Sequence, residues 1–412
     1  MSSAVESVFP APAPIASEDA VGTEAPTFSE EEVKIYTNFD DMELPDTLLR
    51  GVYSYGFEKP SAIQQKGIVP IKEGRDILGQ AQSGTGKTGT FTIGSLCRVD
   101  PAIKKVQVLV LVPVRELAQQ IETVVRAISN FMGITVYCAT GGPPLRDDIR
   151  AIERGCQFLI GTPGRIFDLM NRKVLHRDQI RVLIMDEADQ MLEDRFKEQV
   201  TCILDQGFPK ETQVALFSAT MSAEVVEVAN QLLRNPVRIL ISPDAVPLEG
   251  IRQFYVALQR EDWKYDTLCD LYQQLNINQA LIYCNKRQRA EWLAEKMATQ
   301  GFPLSFIHGE MDVEERRKRM RDFRNGNVRV LISTDLLARG IDVQQVSLVI
   351  NYELPTQKEN YIHCIGRAGR YGRKGVTINL ICQDETRAME EIEAYFGIKL
   401  ESLPNDLAMI SL

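Results

Sequence analysis

"AQSGTGKT", residues 81–88, follows the apolar run "DILGQ" (76–80) and decides how the rest of the chain can be organised. Its glycines let backbone N–H groups curl around phosphate oxygens at the positive end of the following helix. Lys87 would reach the β- and γ-phosphates of a nucleotide, and Thr88 would be a ligand of Mg²⁺. The general pattern has Gly where this chain has Ala81, so the alternative is a glycine-rich turn that merely contains Lys-Thr. The predicted phosphate loop comprises Ser83, Gly84, Thr85, Gly86, Lys87 and Thr88.

Short, uniformly apolar runs recur on both sides of this loop, as expected for strands of a parallel sheet that is covered on both faces. Each run leads into a glycine-rich or charged segment, and ligands of open α/β sheets bind at the carboxyl ends of the strands. Two α/β domains are predicted, at 39–240 and 251–412, joined by a linker at 241–250. The strand-like runs are 76–80, 106–112, 156–161, 182–185, 213–217, 279–284, 304–308, 328–333, 347–352 and 376–382.

The composition fits a soluble globular protein of two or three domains, at roughly 150 residues per domain. Residues 1–38 carry seven acids against one lysine, which predicts a solvated, disordered tail. The eight cysteines include no Cys-x-x-Cys pair, which favours a reducing compartment over a zinc site or a disulfide framework. Neither a membrane span nor a targeting segment is predicted. The net charge of −9 argues against general affinity for nucleic acid but leaves room for a local basic track.

"VLIMDEAD" (182–189) places two acids at the end of an apolar strand. Asp186 would hold Mg²⁺, and Glu187 would orient or deprotonate the attacking water. An acidic pair after a strand is otherwise most often a helix N-cap. Because a phosphate loop precedes it in the same domain, the metal-binding interpretation is favoured.

With these residues quoted, the sequence resembles the DEAD-box ATP-dependent RNA helicases over about 39–412, and within them the initiation factor 4A branch with its exon-junction paralogue. "YGFEKPSAIQ" (55–64) is specific to that branch. The resemblance implies two RecA-like parallel-sheet domains joined by a flexible linker, an RNA-dependent ATPase activity, and ATP with Mg²⁺ as cofactors. It implies that Gln64 hydrogen-bonds the adenine edge and that Phe39 stacks on the base.

The resemblance also assigns roles to residues far from the phosphate loop. In "FSATM" (217–221), Ser218 and Thr220 would couple ATP to RNA through hydrogen bonds to the DEAD acids. In "CIGRAGRYGRKG" (364–375), Arg367 and Arg370 would be arginine fingers that reach ATP when RNA closes the two domains. Asp342 would contact the ribose in that closed state. The alternative for the arginine series is a solvated basic loop.

A predicted RNA track consists of groups that grip sugar and phosphate without reading bases, so no sequence preference is expected. The likeness places it at strand ends in both domains. Its members are Pro113, Arg115, Gly141, Gly142, Thr162, Gly164, Arg165, Asn285, Gly309, Arg316 and Thr334. "EERRKRMRDFR" (314–324) is interpreted as a helix with one solvated face rather than a nuclear localisation signal.

Three positions depart from the family pattern: Cys364 replaces Arg, Val313 replaces Gln and Val114 replaces Thr. Cys364 would delete a charge and weaken coupling to RNA. Two alternatives to an RNA helicase in translation initiation stay open: an ATP-locked RNA clamp of exon-junction type, and a small-molecule kinase. The expected partners are single-stranded RNA or a short duplex and a scaffold protein that stabilises the closed form. A monomer in the cytoplasm is expected, with the nucleus as the alternative compartment.

Overall fold

The computed structural model describes residues 33–81, 84–192, 194–240, 251–275, 277–334, 346–368, 375–404 and 407. Ser83, Asp342 and Arg370 lie outside this described part, as do most of the predicted tail and the predicted linker. The chain divides into two compact units, and the change from the first to the second falls between Leu240 and Ile251.

The first unit is built on seven parallel strands in the order β3-β4-β2-β5-β6-β1-β7. Most of these strands are buried along their whole length because helices cover the sheet, as their uniformly apolar sequences predict. The strands are β1 (Ile77–Gln80), β2 (Val108–Leu111), β3 (Val136–Ala139), β4 (Phe158–Gly161), β5 (Val182–Asp186), β6 (Gln213–Ser218) and β7 (Val237–Leu240).

Nine helices accompany this sheet in the described part of the first unit. Gln64 Oε1 accepts a hydrogen bond from the backbone N–H of Ser61 (2.9 Å), which caps the second helix at its first turn. The helices are α1 (Asp46–Tyr55), α2 (Ala62–Lys72), α3 (Lys87–Leu96), α4 (Arg115–Ile128), α5 (Leu145–Glu153), α6 (Pro163–Asn171), α7 (Ala188–Met191), α8 (Asp194–Asp205) and α9 (Ala223–Leu232).

The second unit repeats the design, with seven parallel strands in the order β10-β11-β9-β12-β13-β8-β14. Its strands are β8 (Ile251–Leu258), β9 (Ala280–Cys284), β10 (Leu304–Ile307), β11 (Val330–Thr334), β12 (Leu348–Asn351), β13 (Gly375–Cys382) and β14 (Glu401–Ser402). Its helices are α10 (Trp263–Gln274), α11 (Arg287–Thr299), α12 (Val313–Arg324), α13 (Glu359–Ile365) and α14 (Thr386–Phe396).

The predicted α/β fold class is confirmed by these two parallel sheets. Four strands, β3, β7, β8 and β14, were missing from the predicted runs. β3 and β7 are short strands at the two edges of their sheet, and β14 has only two residues. β8 mixes buried and exposed residues along "IRQFYVAL", so it lacks the uniform apolar signal of a central strand. Among the described helices, none is both long and apolar enough to cross a bilayer.

Candidate nucleotide and nucleic-acid site

The sheet of the first unit brings three of the predicted motifs to one edge. β5, β6 and β1 are neighbours, and because all strands are parallel their carboxyl ends lie together. Gln80, the last residue of β1, is in register with Ser218, the last residue of β6. Asp186, the last residue of β5, is in register with Phe217. The phosphate loop, the DEAD acids and the Ser-Ala-Thr segment therefore emerge side by side.

Two glycines shape the loop before α3. Gly84 and Gly86 have φ of 86° and 105°, which L side chains rarely adopt. A Cβ on Gly86 would also lie 2.4 Å from Ser61 Oγ, so any other residue here would have to displace Ser61 and adopt a strained backbone. Gly86 is the N-cap of α3, and Lys87 and Thr88 begin the helix. The predicted anion-binding helix start is thus formed by the described part of the loop.

Lys87 lies among carboxylates in the interior of the unit. Its Nζ is 3.3 Å from Glu187 Oε1 and 3.7 Å from Asp186 Oδ1. Burial acts to lower the pKa of Lys87, but the charges of Glu187, Asp186 and Asp189 outweigh it and raise the pKa. Burial raises the pKa of Asp186 to about 7, although Lys87 opposes the shift. Three acids therefore lie close to a single lysine, and their carboxylate oxygens are the donors that a hard cation prefers.

The DEAD segment is held by strained backbone and by hydroxyls from β6 and the turn after it. Glu187 has φ 56° and ψ 50°, a left-handed conformation that costs a residue with a Cβ about 1 kcal/mol. Thr220 Oγ1 donates to Asp189 Oδ2 at 2.7 Å, and the backbone N–H of Asp189 donates to Ser218 Oγ at 3.3 Å. The structure therefore brings the two predicted coupling residues onto one residue, Asp189: Thr220 bonds its carboxylate and Ser218 its backbone N–H.

Gln64 lies beside the phosphate loop, where its Nε2 donates to the backbone carbonyl of Gly86 at 3.4 Å. The predicted stacking of Phe39 on the base stays a prediction. In this structure its ring is fully buried and stacks on Phe57, with 6.3 Å between centroids and 22° between planes. A base would need a side-chain movement to reach Phe39. The half-buried Phe57 also packs close to Gly89 beside Gln64, so Phe57 is the better candidate for the adenine platform.

The predicted RNA-track residues of the first unit follow β2, β3 and β4, the three strands beside β5. Pro113 and Arg115 come after β2, Gly141 and Gly142 after β3, and Thr162, Gly164 and Arg165 after β4. Gly164 and Gly142 are exposed, and a Cβ on Gly141 would meet nothing within 4 Å. The structure therefore gathers all seven at the same sheet edge as the nucleotide residues.

Arg165 is already anchored in this edge. Its guanidinium forms an ion pair with the buried Asp148, and its Nη2 donates to the backbone carbonyl of Pro143 at 2.9 Å. The hydroxyl of Tyr137 donates to the same Asp148 carboxylate at 2.8 Å. The acid holds Arg165 in one orientation, so less side-chain entropy is lost when the guanidinium meets a further oxygen.

The second unit places its predicted RNA residues in the equivalent positions. Thr334 ends β11, and Asn285 follows β9, where its backbone N–H donates to Glu353 Oε2 (2.7 Å) and its Nδ2 to the carbonyl of Leu354 (2.8 Å). Gly309 follows β10, and its carbonyl accepts from Arg316 Nη1 at 3.3 Å. Because β10, β11 and β9 are neighbours, these four residues share one sheet edge.

Arg367 follows α13, and its Nε donates to the carbonyl of His363 at 3.0 Å. Cys364, expected to mark a deleted charge, is fully buried in an apolar cluster with residues such as Leu281 and Val349. The thiol fills core space here, so an effect of Cys364 on coupling has to act through packing. Val313 begins α12 half-buried, and Val114 is a buried N-cap of α4.

Comparison with known proteins places these motifs in one family. The DEAD/DEAH box helicase model matches residues 61–228, and the helicase conserved C-terminal domain model matches residues 263–372. The chain belongs to the DEAD/DEAH box helicase family. An "ATP-dependent RNA helicase eIF4A" of Chaetomium globosum is 53% identical over 371 residues, covering 90% of this chain and 93% of that protein. "Eukaryotic initiation factor 4A" of Caenorhabditis elegans is 50% identical, covering 91% and 93%.

Solved structures of family members agree with this assignment. Dbp5 of S. cerevisiae, bound to RNA and ADP BeF3, is 34% identical and matches with a TM-score of 0.83, covering 91% of this chain and 97% of that one. Another structure, of Dbp5 bound to Gle1, matches with a TM-score of 0.74 and 34% identity, covering 90% and 96%. The predicted family and the predicted fold of two RecA-like domains are thereby confirmed.

Proposed function

We propose that this protein is an ATP-dependent RNA helicase of the initiation factor 4A type, which hydrolyses ATP to bind and locally unwind or remodel RNA in translation initiation. The observation that carries the proposal is the position of Lys87. Its Nζ lies 3.3 Å from Glu187 Oε1 and 3.7 Å from Asp186 Oδ1, at the sheet edge where the seven RNA-track residues of the first unit also lie. Relatives named eIF4A, about half identical over nine-tenths of the chain, favour this function over the exon-junction clamp.

ATP use follows from family membership. Different residues would recognise the base and the phosphates of ATP. Gln64 offers an amide to the adenine edge, and Phe57 offers a ring face to the base. The backbone N–H groups that begin α3 point at the phosphates. Lys87 exchanges its carboxylate partners for phosphate oxygens, since a polyphosphate carries more negative charge than Glu187 and Asp186 together. That exchange frees Glu187 to accept a proton from the attacking water.

The residues fit a bound Mg²⁺. The carboxylate oxygens beside Lys87 and the hydroxyl of Thr88 form the kind of oxygen donor set that a hard divalent cation prefers. Thr88 and Asp186 would hold it, and it would neutralise charge on the phosphates. Burial of Asp186 keeps its carboxylate fixed and desolvated, so the cation would meet a preorganised ligand.

RNA binding is proposed for the strand ends of both units, where exposed glycine backbone and anchored arginines contact sugar and phosphate. Arg367 and Arg370 contribute positive charge to the reacting phosphate, which would make hydrolysis depend on RNA.

Further proposals are a scaffold protein partner, for which the Gle1-bound Dbp5 structure is the support, and action as a monomer in the cytoplasm. Light scattering of the purified chain tests the monomer, and identification of co-purifying proteins tests the scaffold and the compartment.

Steady-state ATPase assays with and without a mixed-sequence oligoribonucleotide test the function. We expect turnover to rise severalfold or more with RNA, and Lys87→Ala to abolish it. Lys104→Ala is the matched control, since Lys104 is an exposed lysine of the same unit. Tight ATP-dependent RNA binding without turnover would instead establish the clamp. Phosphate transfer to a metabolite, with no response to RNA, would establish the kinase.

A further inference from the structure

The first unit contains a cavity of about 520 Å³ that the ATPase site does not use. Its walls come from the segment that follows α3 (Arg98 and Val99) and from residues just before β5 and β6 (Arg181 and Thr212). All of these lie at the amino ends of the strands. The nucleotide residues follow the carboxyl ends of the strands. The five residues of β5 span about 17 Å, at 3.3 Å per residue, and this length separates the two edges of the sheet. The cavity is therefore distinct from the nucleotide site.

Two arginines dominate the electrostatics of this cavity. Arg181 Nη1 donates to the backbone carbonyl of Arg98 at 3.2 Å, which brings the two side chains to the same wall. Within the described residues, neither guanidinium forms an ion pair, and the buried Nε of Arg98 has no hydrogen-bond partner. Burial and the neighbouring charge of Arg181 both lower the pKa of Arg98. The two positive charges thus oppose each other, and no ion pair of the described residues compensates either one.

The other charged groups of the lining already have partners, with one exception. Lys72 is 3.7 Å from Glu43, and Asp178 is 3.5 Å from Lys105. Asp100 accepts a hydrogen bond from the backbone N–H of Ala102 at 2.9 Å. Glu211, the exception, is exposed at the rim. Acids at the wall and rim disfavour a long polyanion such as RNA more strongly than a compact dianion.

The cavity is also larger than an inorganic ion needs. Pockets of roughly 300–1,000 Å³ hold small organic molecules. Val99, Ile180 and Pro209 supply apolar surface beside the arginines. Paired guanidiniums match the oxygens of a phosphate group with parallel N–H···O bonds. We propose that this cavity binds the phosphate monoester of a small organic molecule, with the phosphate on Arg98 and Arg181 and the organic part against the apolar wall.

Ribose 5-phosphate is a suitable probe, and it is titrated calorimetrically into the full-length protein with saturating Mg-ADP, so that the phosphate loop is filled. We expect saturable binding that Arg98→Gln and Arg181→Gln each weaken at least tenfold. Arg154→Gln, at an exposed arginine of the same unit, should leave the affinity unchanged. Arg98→Gln should also unfold at the same temperature as the parent chain or higher, because it removes a like-charge contact.

Three outcomes would overturn the proposal. One is the absence of ribose 5-phosphate binding in the presence of Mg-ADP. Another is binding that survives both arginine substitutions, which would place the ligand elsewhere. The third is binding of inorganic phosphate that ribose 5-phosphate does not share, which would make this a site for the free ion. Since every titration contains saturating Mg-ADP, failure here leaves the proposed ATPase function untouched.

Discussion

In the first unit the central strand β5 ends at Asp186, whereas β12, which holds the same place in an identical strand order, ends at Asn351. Asp186 is a buried acid with raised pKa beside Lys87. Asn351 is a buried amide whose Nδ2 donates to Asn379 Oδ1 at 2.7 Å, and Asn379 in turn donates to the carbonyl of Phe254 at 2.9 Å. The first arrangement is a buried cluster of charged groups, and the second is a neutral hydrogen-bonded pair.

The segments after the first strand of each unit differ in the same way. β1 leads into a loop whose glycines adopt positive φ and present backbone N–H groups at the start of α3. β8 leads into "QRED" (259–262), which has no glycine, before α10 begins. One architecture therefore carries two chemistries, because the apolar strands specify the sheet while the residues after the strands specify the ligands. The second unit has predicted RNA-contacting groups at its strand ends and, among its described residues, lacks a nucleotide-binding loop.

The largest expected effect tests whether the second unit also takes part in hydrolysis. Arg367→Gln should lower RNA-stimulated kcat roughly 10³-fold or more, because charge developing on the transferred phosphate loses a cation. Nucleotide affinity, measured with a fluorescent ADP analogue, should change little, since the binding residues lie on the first unit. Arg321→Gln, at an exposed arginine of α12, serves as the control. Unchanged kcat would confine the chemistry to the first unit.

Loss of the proposed base in the first unit should have a somewhat smaller effect. Glu187→Gln should lower kcat roughly 10²–10⁴-fold while ATP still binds, because the amide keeps the shape of the side chain and cannot accept the proton. Rapid-quench measurement of a single turnover separates chemistry from product release. Glu153→Gln is the matched control on the exposed end of α5. A variant that hydrolyses ATP normally would remove Glu187 from the mechanism.

Substituting the last residue of each central strand, Asp186 and Asn351, with the residue found in the other unit should change the unfolding temperature in opposite directions. Asn351→Asp should cost the second unit about 3 kcal/mol, because it buries a carboxylate with no cation nearby. Asp186→Asn should raise the unfolding temperature of the nucleotide-free protein by a few degrees, through about 1 kcal/mol, and abolish hydrolysis. Scanning calorimetry without nucleotide measures both. If the two substitutions shift unfolding in the same direction, the contrast between a charged and a neutral strand end is wrong.

The smallest expected effect concerns RNA. Arg165→Gln should weaken oligoribonucleotide binding roughly three- to tenfold, equally for unrelated sequences, and reduce the salt dependence by about one charge. Fluorescence anisotropy at several salt concentrations gives both quantities. Arg172→Gln, at the C-cap of the same helix, α6, is the control. A loss of affinity that differs strongly between sequences would contradict backbone recognition.

Much of the site could be predicted because its motifs are contiguous in sequence. The phosphate loop, the DEAD acids and the Ser-Ala-Thr segment each follow a strongly apolar strand, and a strand end is enough to place them on the ligand edge. The burial of Phe39 could not be predicted in this way. The sequence gives no information on which of two nearby aromatic rings is covered, and only packing shows that Phe39 is buried against Phe57 while Phe57 lies near Gly89 and Gln64.

The surroundings of Cys364 also could not be predicted from the sequence. Its neighbours in the chain are motif residues, but in the structure it packs in the apolar cluster of Leu281 and Val349. The paired arginines of the cavity, Arg98 and Arg181, are 83 positions apart and belong to no motif. Nothing in the local pattern of either segment indicates that they meet.

From its amino-acid order alone, this chain determines the two parallel sheets, the family and the residues that carry the nucleotide chemistry. Those properties depend on local apolar runs and on short motifs, which can be recognised without knowing the tertiary contacts. The tertiary structure decided which side chains are buried, which charged groups lie together and which of two aromatic rings is covered. Burial and clustered charge arise from residues distant in sequence, and only the packed fold brings them within a few ångströms of each other.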